Sequence, residues 1–273
     1  MGEAKNIIIK PISSQDANAI IRKLHYSGKV VNNSQVHFGV FLDGKCGGAL
    51  QFGPSLDKRK IIGLVKDTKW NEFIELNRMA LADWLPRNGE SRAISVCMRL
   101  LKKHYPFLKW VISFADGTQC GDGAIYRASG FVLTGIKEND QIWIAPDEAH
   151  STFSRMSLTD NSSHKEQDKA RQIMVTKGKN IIHSTSVRGG IGSIKYAGLS
   201  NGASSMKPFI EAGFTPLKGF QLRYIYFLDP SYRDKLTVPI IPFSKIDEMG
   251  AGMYKGVKRI ADDSNSVQQD VAV

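Results

Sequence analysis

The alternation of apolar and polar residues predicts strands and helices in turn along the first part of the chain. A short apolar run over Asn6–Ile12 predicts a first strand. From Ser13 to Tyr26, apolar residues recur at helical spacing after a serine that can cap a helix, and Gly28 is a natural helix end. Apolar runs on both sides of Asp43-Gly44 predict a β-hairpin, because this dipeptide favours the tight turns that join antiparallel strands.

The following segments predict an α/β protein with a mixed central sheet flanked by helices and a C-terminal extension. The pattern predicts a strand over Lys69–Leu81, a helix that follows Gly89–Ser91 and ends at His104 before a proline, and a buried strand over Leu108–Asp116. Further strands are predicted for three apolar runs, "GFVLTGI", "QIWIAP" and "FQLRYIYFLD".

Changes in amino-acid composition along the chain predict its domain organisation. Residues 1–146 form the predicted core, and residues 147–202, polar and rich in Gly and Ser, are expected to be an insertion, part helix and part loop. Residues 203–261 are expected to return to the core with a strand and an extension. The polar residues 262–273 predict a disordered tail.

Composition adds a positive charge to this picture. The chain has 273 residues, a formal net charge of +11 and a pI of about 9.5, which favours polyanionic partners such as nucleic acid, an anionic cofactor or anionic lipid. No apolar run reaches the roughly 18 residues of a membrane span, and the first residues lack the pattern of a signal peptide. The three cysteines have no metal-type spacing and indicate a reducing compartment.

The stretch "FADGTQCGDGAIYRASGF" concentrates candidate chemistry between a strand and a helix. Asp116 ends the strand, and Tyr126 is expected about two turns into the helix. Asp122 is expected to cap that helix. Cys120 is a possible nucleophile, but no histidine lies near it in sequence, so we treat it as a bystander. The pair His25-Tyr26 is either the packed end of the first helix or part of a site.

A second candidate site is the loop "PRNGES" before the helix that ends at His104. The first turn of a helix offers backbone N–H groups to an anion, and Gly89, Ser91 and Arg87 are the candidate contacts. Arg78, at the end of the preceding strand, is either a surface residue paired with a glutamate or a contact for a phosphate of cofactor or DNA.

Two of these motifs resemble the GNAT superfamily of acyl-CoA N-acyltransferases. "AIYRASGF" is similar to the helix after their fifth strand, and "PRNGES" stands at the position of their pyrophosphate loop, with Pro86 where an Arg or Gln is usual. The resemblance implies a GNAT-like fold. It also implies acetyl-CoA or a related acyl donor as cofactor, bound by Arg78, Arg87, Gly89 and Ser91.

Longer runs, among them "HYSG", "WNEFIELNRMAL" and "WVISFADGTQCGDGAIYRASGF", resemble the Mom family of Mu-like bacteriophages. That resemblance implies an enzyme that converts adenine in DNA to N6-carbamoylmethyl-adenine and protects the DNA from host restriction. It implies His25, Tyr26, Asp116 and Tyr126 as catalytic residues and as ligands of an iron ion. Double-stranded DNA, with a flipped adenine, is the expected partner, and the cytoplasm of the bacterial host is the expected location.

Two other functions remain open at the level of sequence. One is a conventional acetyl-CoA-dependent N-acetyltransferase acting on a small amine, tRNA or a protein. The other is a DNA-binding module without catalytic activity on an acyltransferase scaffold. The off-pattern "PRNGES" loop and the basic charge count against the first. The oligomeric state, a homodimer included, is also left open.

Overall fold

The computed structural model describes residues 2–118, 121–159, 164–177, 184–187, 194–196, 206–254 and 257–258. Two compact units divide the chain. The larger is built on Met1–Lys137 and Gln221–Tyr254, and the smaller on Glu138–Phe220. The smaller unit is therefore wider than the predicted insertion 147–202. The predicted tail, 262–273, lies outside the described residues.

The elements follow in chain order. The helices are α1 (Ser14–Leu24), α2 (Lys58–Ile62), α3 (Gly89–His104), α4 (Ala124–Ala128), α5 (Arg155–Thr159), α6 (His164–Lys177), α7 (Lys207–Glu211) and α8 (Ser244–Glu248), with short 3-10 helices at Glu3–Asn6 and Pro230–Lys235. The strands are β1 (Ile8–Pro11), β2 (Val36–Leu42), β3 (Lys45–Gly53), β4 (Phe73–Leu81), β5 (Trp110–Asp116), β6 (Val132–Ile144), β7 (Thr152–Ser154), β8 (Ser184–Val187), β9 (Ile194–Tyr196), β10 (Thr215–Phe227), β11 (Met253–Tyr254) and β12 (Val257–Lys258).

The larger unit is organised around one mixed sheet. Its strand order is β1-β2-β3-β4-β5-β10-β6. Neighbours run antiparallel from β1 to β4 and between β5 and β10, whereas β4 and β5 are parallel. The predicted α/β class with a mixed central sheet is confirmed. In the smaller unit the second half of β6 pairs with β7, and an apolar cluster forms around Trp143, Phe153, Phe209 and Phe214.

Several local predictions are confirmed in detail. The Ser13 hydroxyl accepts a hydrogen bond from the Asp16 N–H at 3.0 Å, as a helix cap does. Asp43 and Gly44, with φ of 48° and 78°, form the turn between β2 and β3. Helix α3 ends at His104, as predicted, whereas it begins at Gly89 instead of after Ser91.

Other boundaries were wrong for identifiable reasons. Strand β4 begins at Phe73 instead of Lys69, because Lys69 donates its N–H to the Glu72 carboxylate at 2.9 Å and closes a turn. The runs "GFVLTGI" and "QIWIAP" form one strand, β6, since the polar residues between them continue it with exposed side chains.

Helix α1 and helix α3 cover opposite faces of this sheet. Ala17 and Ile21 of α1 pack against Ala80 of β4. The next residue of β4, Leu81, points the other way and approaches Gly89 at the start of α3. We call these two surfaces the α1 face and the α3 face. Among the described residues, no helix is both long and apolar enough to cross a lipid bilayer.

The register of β4 against its neighbours shows which other residues lie on the α1 face and which on the α3 face. Glu75, Arg78 and Ala80 of β4 pair with alternate residues of β3, so all three lie on the α1 face. Phe73 lies on the same face and stacks on Trp110 of β5 with ring centroids 4.4 Å apart. Alternate residues of β5 from Trp110 to Asp116 therefore lie on the α1 face, and Ser113 lies on the α3 face.

Replacement of Gly123 by alanine is expected to destabilise the protein more than the same change at Gly130. Both glycines have positive φ, 77° and 85°, which costs a non-glycine residue about 1 kcal/mol. A Cβ at Gly123 would also lie 2.6 Å from the Tyr224 ring, whereas one at Gly130 has its nearest neighbour, Tyr226, at 3.5 Å. Equal losses in urea-unfolding free energy for Gly123→Ala and Gly130→Ala would contradict this packing.

Candidate active site

The parallel strands β4 and β5 separate before they end. Phe73, Ile74 and Glu75 pair with β5, and the last pair is Glu75 with Ile112. Beyond it, Ser113 of β5 reaches across to the backbone oxygen of Leu76 at 3.4 Å. The sheet is therefore open at the carboxyl ends of two adjacent parallel strands, where ligands of α/β sheets gather.

A β-bulge in β4 accompanies the opening. The pairing with β3 passes from Arg78 opposite Gln51 to Leu76 opposite Phe52, which leaves Asn77 as an extra residue. The Asn77 side chain accepts a hydrogen bond from Ser34 at 3.1 Å. Bulges re-aim the side chains next to them, and this one brings Arg78 onto the α1 face.

His25 lies at the C-terminal end of α1, half-buried, with its ring orientation set by Ser27. The Ser27 N–H donates to Nδ1 of His25 at 3.2 Å, and the Ser27 hydroxyl lies 2.8 Å from the same nitrogen. Nδ1 is therefore an acceptor, and Nε2 carries the proton of the neutral ring. Burial, together with the charge of Arg78, lowers the pKa of His25 to about 4, so the ring is neutral at pH 7.

Arg78 and Tyr26 lie beside His25. The Arg78 guanidinium donates from Nε to the backbone oxygen of Lys29 at 3.1 Å and from Nη1 to that of Asn77 at 2.8 Å. These bonds tie the segment after α1 to β4. The Tyr26 ring is 57% exposed, with its centroid 4.3 Å from that of His25. The structure thus places Arg78, expected to contact the cofactor, beside the pair His25-Tyr26.

Asp116 ends β5 on the same α1 face. It pairs with Gln221 of β10, and its carboxylate accepts a hydrogen bond from the Thr118 N–H at 3.0 Å. Because β4 and β5 are parallel neighbours, Asp116 and Arg78 lie at the same edge of the sheet. Cys120, four residues on, lies outside the described residues.

Tyr126 occupies the opposite, α3 face. It is 8% exposed, and its phenol oxygen lies 2.9 Å from the Ser113 hydroxyl, which donates to it. Its ring contacts those of Tyr224 and Phe131, with centroids 5.2 and 5.4 Å away. Ser113 was missed by the sequence analysis, although a single polar residue within the apolar strand "WVISFAD" was a usable signal.

The helix that carries Tyr126 is shorter than predicted. Helix α4 spans Ala124–Ala128, so Tyr126 stands in its first turn instead of two turns in. Gly123 precedes it at φ 77°, and Asp122 does not cap it. The Asp122 carboxylate instead accepts from the Ala124 N–H at 3.1 Å and pairs with Arg127 at 2.8 Å.

The start of α3 is a separate group on the α3 face. Asn88, at φ 67°, precedes the helix, and Gly89 donates its N–H to the Pro86 oxygen at 2.9 Å. The Ser91 hydroxyl donates to the Asn88 oxygen at 3.1 Å, so it does not cap the helix. The first-turn N–H groups have no partner within the helix, as at every helix start. Arg87 is exposed beside them.

This loop also carries negative charge. Desolvation and the nearby Asp83 carboxylate raise the pKa of Glu90, the second residue of α3. Two carboxyl groups beside a helix N-terminus weaken its attraction for an anion. Of the four expected cofactor contacts, the structure groups Arg87, Gly89 and Ser91, and it places Arg78 on the other face.

An iron ion held by His25, Tyr26, Asp116 and Tyr126 does not fit the bonding of His25. A histidine that ligates a metal donates from its second ring nitrogen, whereas Nδ1 of His25 accepts from the Ser27 N–H and leaves Nε2 protonated. Asp116 and Tyr126 lie on opposite faces of the sheet. Among the residues described, no three His, Cys, Asp or Glu side chains gather as a metal site.

Comparison with known proteins decides the family. The model of the Mom protein family matches residues 6–185. The chain belongs to the Mom protein family. A relative described as methylcarbamoylase Mom, from Escherichia phage Mu, is 42% identical over 137 residues, which are 50% of this chain and 56% of that protein. This Mom-family chain thus matches little more than half the length of that relative.

Solved acetyltransferase structures share only distant similarity with this Mom-family chain. An IAA acetyltransferase from Bacillus cereus is 13% identical, with 53% of this chain and 85% of that chain covered and a TM-score of 0.36. The ribosomal-protein-S18-alanine N-acetyltransferase of Escherichia coli is 15% identical, with 54% and 88% covered and a TM-score of 0.36.

The low pKa of His25 predicts a pH dependence of stability. Because the folded-state pKa, about 4, is below the ordinary 6.5, unfolding takes up a proton between these values. This contribution to stability is complete above pH 6.5 and is lost as the pH falls toward 4. His25→Gln should therefore lose less unfolding free energy than wild type between pH 7 and 4.5, measured with urea. The tautomer of His25 is checked separately by ¹⁵N NMR. A neutral ring with its proton on Nδ1 instead of Nε2 would contradict the hydrogen bond from the Ser27 N–H.

Proposed function

We propose that the protein is a transferase that converts adenine in DNA to N6-carbamoylmethyl-adenine, as part of phage protection against restriction in the host cytoplasm. The observation that carries the proposal is the opening between β4 and β5, with Asp116 and His25 on one face and Tyr126 on the other. Family membership supplies the reaction class. A transferase has to bring its acceptor and its donor together. Here the two can approach the opening from opposite faces of the sheet.

The adenine acceptor belongs on the α1 face. Its N6 amine is paired within duplex DNA, so the base has to leave the stack, at a cost of a few kcal/mol. His25 offers a neutral Nε2–H there, suited to a ring nitrogen of the base. The exposed Tyr26 ring offers a stacking surface, which stabilises an unstacked base by about 1–3 kcal/mol.

The transfer step uses Asp116 and Tyr126 on the two sides of the opening. Because the product has N6 bonded to a methylene, N6 of adenine forms a bond to the methylene carbon of an activated carbamoylmethyl group and loses one proton to the Asp116 carboxylate. The bond from that carbon to its leaving group breaks with its electron pair. Tyr126 donates a proton to the leaving group, and the Ser113 hydroxyl, 2.9 Å from the phenol oxygen, stabilises the phenolate.

The donor belongs on the α3 face, with its anionic part at the first turn of α3. Arg87 and the N–H groups of Glu90 and Ser91 are the contacts for CoA, or a related anionic carrier, that holds the activated carbamoylmethyl group. The carboxyl groups of Asp83 and Glu90 predict weaker binding than a loop without acids would give. No step in this mechanism uses iron, because His25 is a donor in the described arrangement.

Nucleoside analysis tests the proposal. DNA from cells that express wild-type protein is expected to contain modified adenine, detected by mass spectrometry after digestion. Asp116→Asn should abolish the modification, and Tyr126→Phe should lower it about 100-fold, in the range of lost acid-base catalysis.

The matched control is Asp43→Asn, which removes a carboxylate from the β2–β3 turn and keeps a residue that tolerates positive φ. It should leave the modification at the wild-type level. Acetylation of small amines by the purified protein, with only unmodified adenine in the DNA, would favour a conventional N-acetyltransferase and refute the proposal.

A further inference from the structure

Arg223 stands on the α1 face beside the candidate active site. It lies on β10 and pairs with Phe114 of β5, two residues before the pair of Gln221 with Asp116. Strand β5 lies between β10 and β4, so Arg223 and Arg78 flank the carboxyl end of β5 on the same face. Both arginines therefore border the part of the α1 face where β4 and β5 have separated.

The Arg223 guanidinium is held in place by its neighbour on β6. Nε donates to the Thr134 hydroxyl at 3.1 Å, and Nη2 donates to the Thr134 backbone oxygen at 2.7 Å. A Cβ at Gly135 would lie 3.3 Å from both Cζ and Nη2, so the guanidinium packs flat over this glycine. Burial lowers the pKa of Arg223.

Arg223 has only neutral partners among the described residues. Arg127 and Arg171 face carboxylates, Asp122 at 2.8 Å and Asp168 at 3.9 Å, whereas Arg78, like Arg223, donates to neutral oxygens. A half-buried cation without a counter-charge is unfavourable, and an anion that binds it relieves this cost. Nη1 of Arg223 remains available for such an anion.

We propose that Arg223 is an anion subsite that binds a phosphate of the DNA strand carrying the target adenine, on the side of β5 opposite to Arg78. The proposal rests on the proposed function for the identity of the anion. The phosphates of an acyl-CoA donor are the other source of the same chemistry. The first turn of α3 lies on the opposite face, which favours the DNA phosphate.

DNA binding as a function of salt tests the proposal. A labelled 20-base-pair DNA is titrated with wild type, Arg223→Gln and Arg233→Gln, and fluorescence anisotropy gives the affinity at several salt concentrations. Arg223→Gln should bind about tenfold more weakly and reduce the slope of log K against log [salt] by about one. Arg233→Gln, the same charge change at an exposed position on the 3-10 helix after β10, should keep the wild-type slope.

Arg223→Lys is a second variant that tests the proposal if Arg223→Gln does not fold. It keeps the charge, so its slope should equal that of wild type, while its affinity falls because one ammonium cannot bind Thr134 and a phosphate with the geometry of the fork. Thermal melting confirms that each variant is folded. Wild-type DNA affinity and slope in a folded Arg223→Gln would overturn the proposal, as would a loss of acyl-CoA binding with unchanged DNA binding.

Failure of the proposed function and failure of the phosphate contact would give different results in these experiments. If wild type leaves adenine unmodified while Arg223→Gln still reduces the slope, the phosphate contact stands and the transferase assignment falls. If wild type modifies adenine and Arg223→Gln does so at the wild-type rate and affinity, the transferase stands and the phosphate contact falls.

Discussion

The parallel strands β4 and β5 separate after the pair of Glu75 with Ile112, and the arrangement of the candidate active site depends on this separation. The backbone groups freed by this divergence need other partners. The Ser113 hydroxyl lies 3.4 Å from the Leu76 oxygen and 2.9 Å from the Tyr126 phenol oxygen, and its one proton can serve either. In the proposed mechanism, acceptor and donor meet at this opening from the two faces of the sheet.

Electrostatics differ between the two faces. On the α1 face, two arginines are bonded to neutral oxygens, and a neutral histidine stands beside one of them. On the α3 face, Tyr126 is buried among aromatic rings, and Arg127 is already paired with Asp122. The α1 face therefore combines two arginines with the carboxylates of Glu75 and Asp116, whereas Tyr126 on the α3 face is surrounded by aromatic rings.

Much of the local structure could be predicted from the sequence because it depends on neighbouring residues. The Asp43-Gly44 turn, the cap at Ser13 and the position of Asp116 at the end of an apolar run are of this kind. The face of Arg78 could not be predicted, because it depends on the one-residue bulge at Asn77. Without that bulge, Glu75 and Arg78, three residues apart, would point to opposite faces.

The arrangement of the candidate site could not be predicted either, because it depends on contacts between residues far apart in sequence. Asp116, His25 and Tyr126 were named as one group, and only tertiary structure separates them by face. The bonding of His25 depends on Ser27, two residues away, yet its tautomer emerges only when the chain turns back after α1. Arg223 lies about a hundred residues after Asp116, and only the strand order brings the two together.

Hydrogen–deuterium exchange with each ligand separately tests the central claim most directly. If acceptor and donor enter from opposite faces, DNA should slow exchange in the segment after α1, residues 25–35, and leave the first turn of α3 unchanged. An acyl-CoA should slow exchange at residues 87–92 and leave residues 25–35 unchanged. Protection of the same segment by both ligands, or of residues 87–92 by DNA alone, would contradict the account.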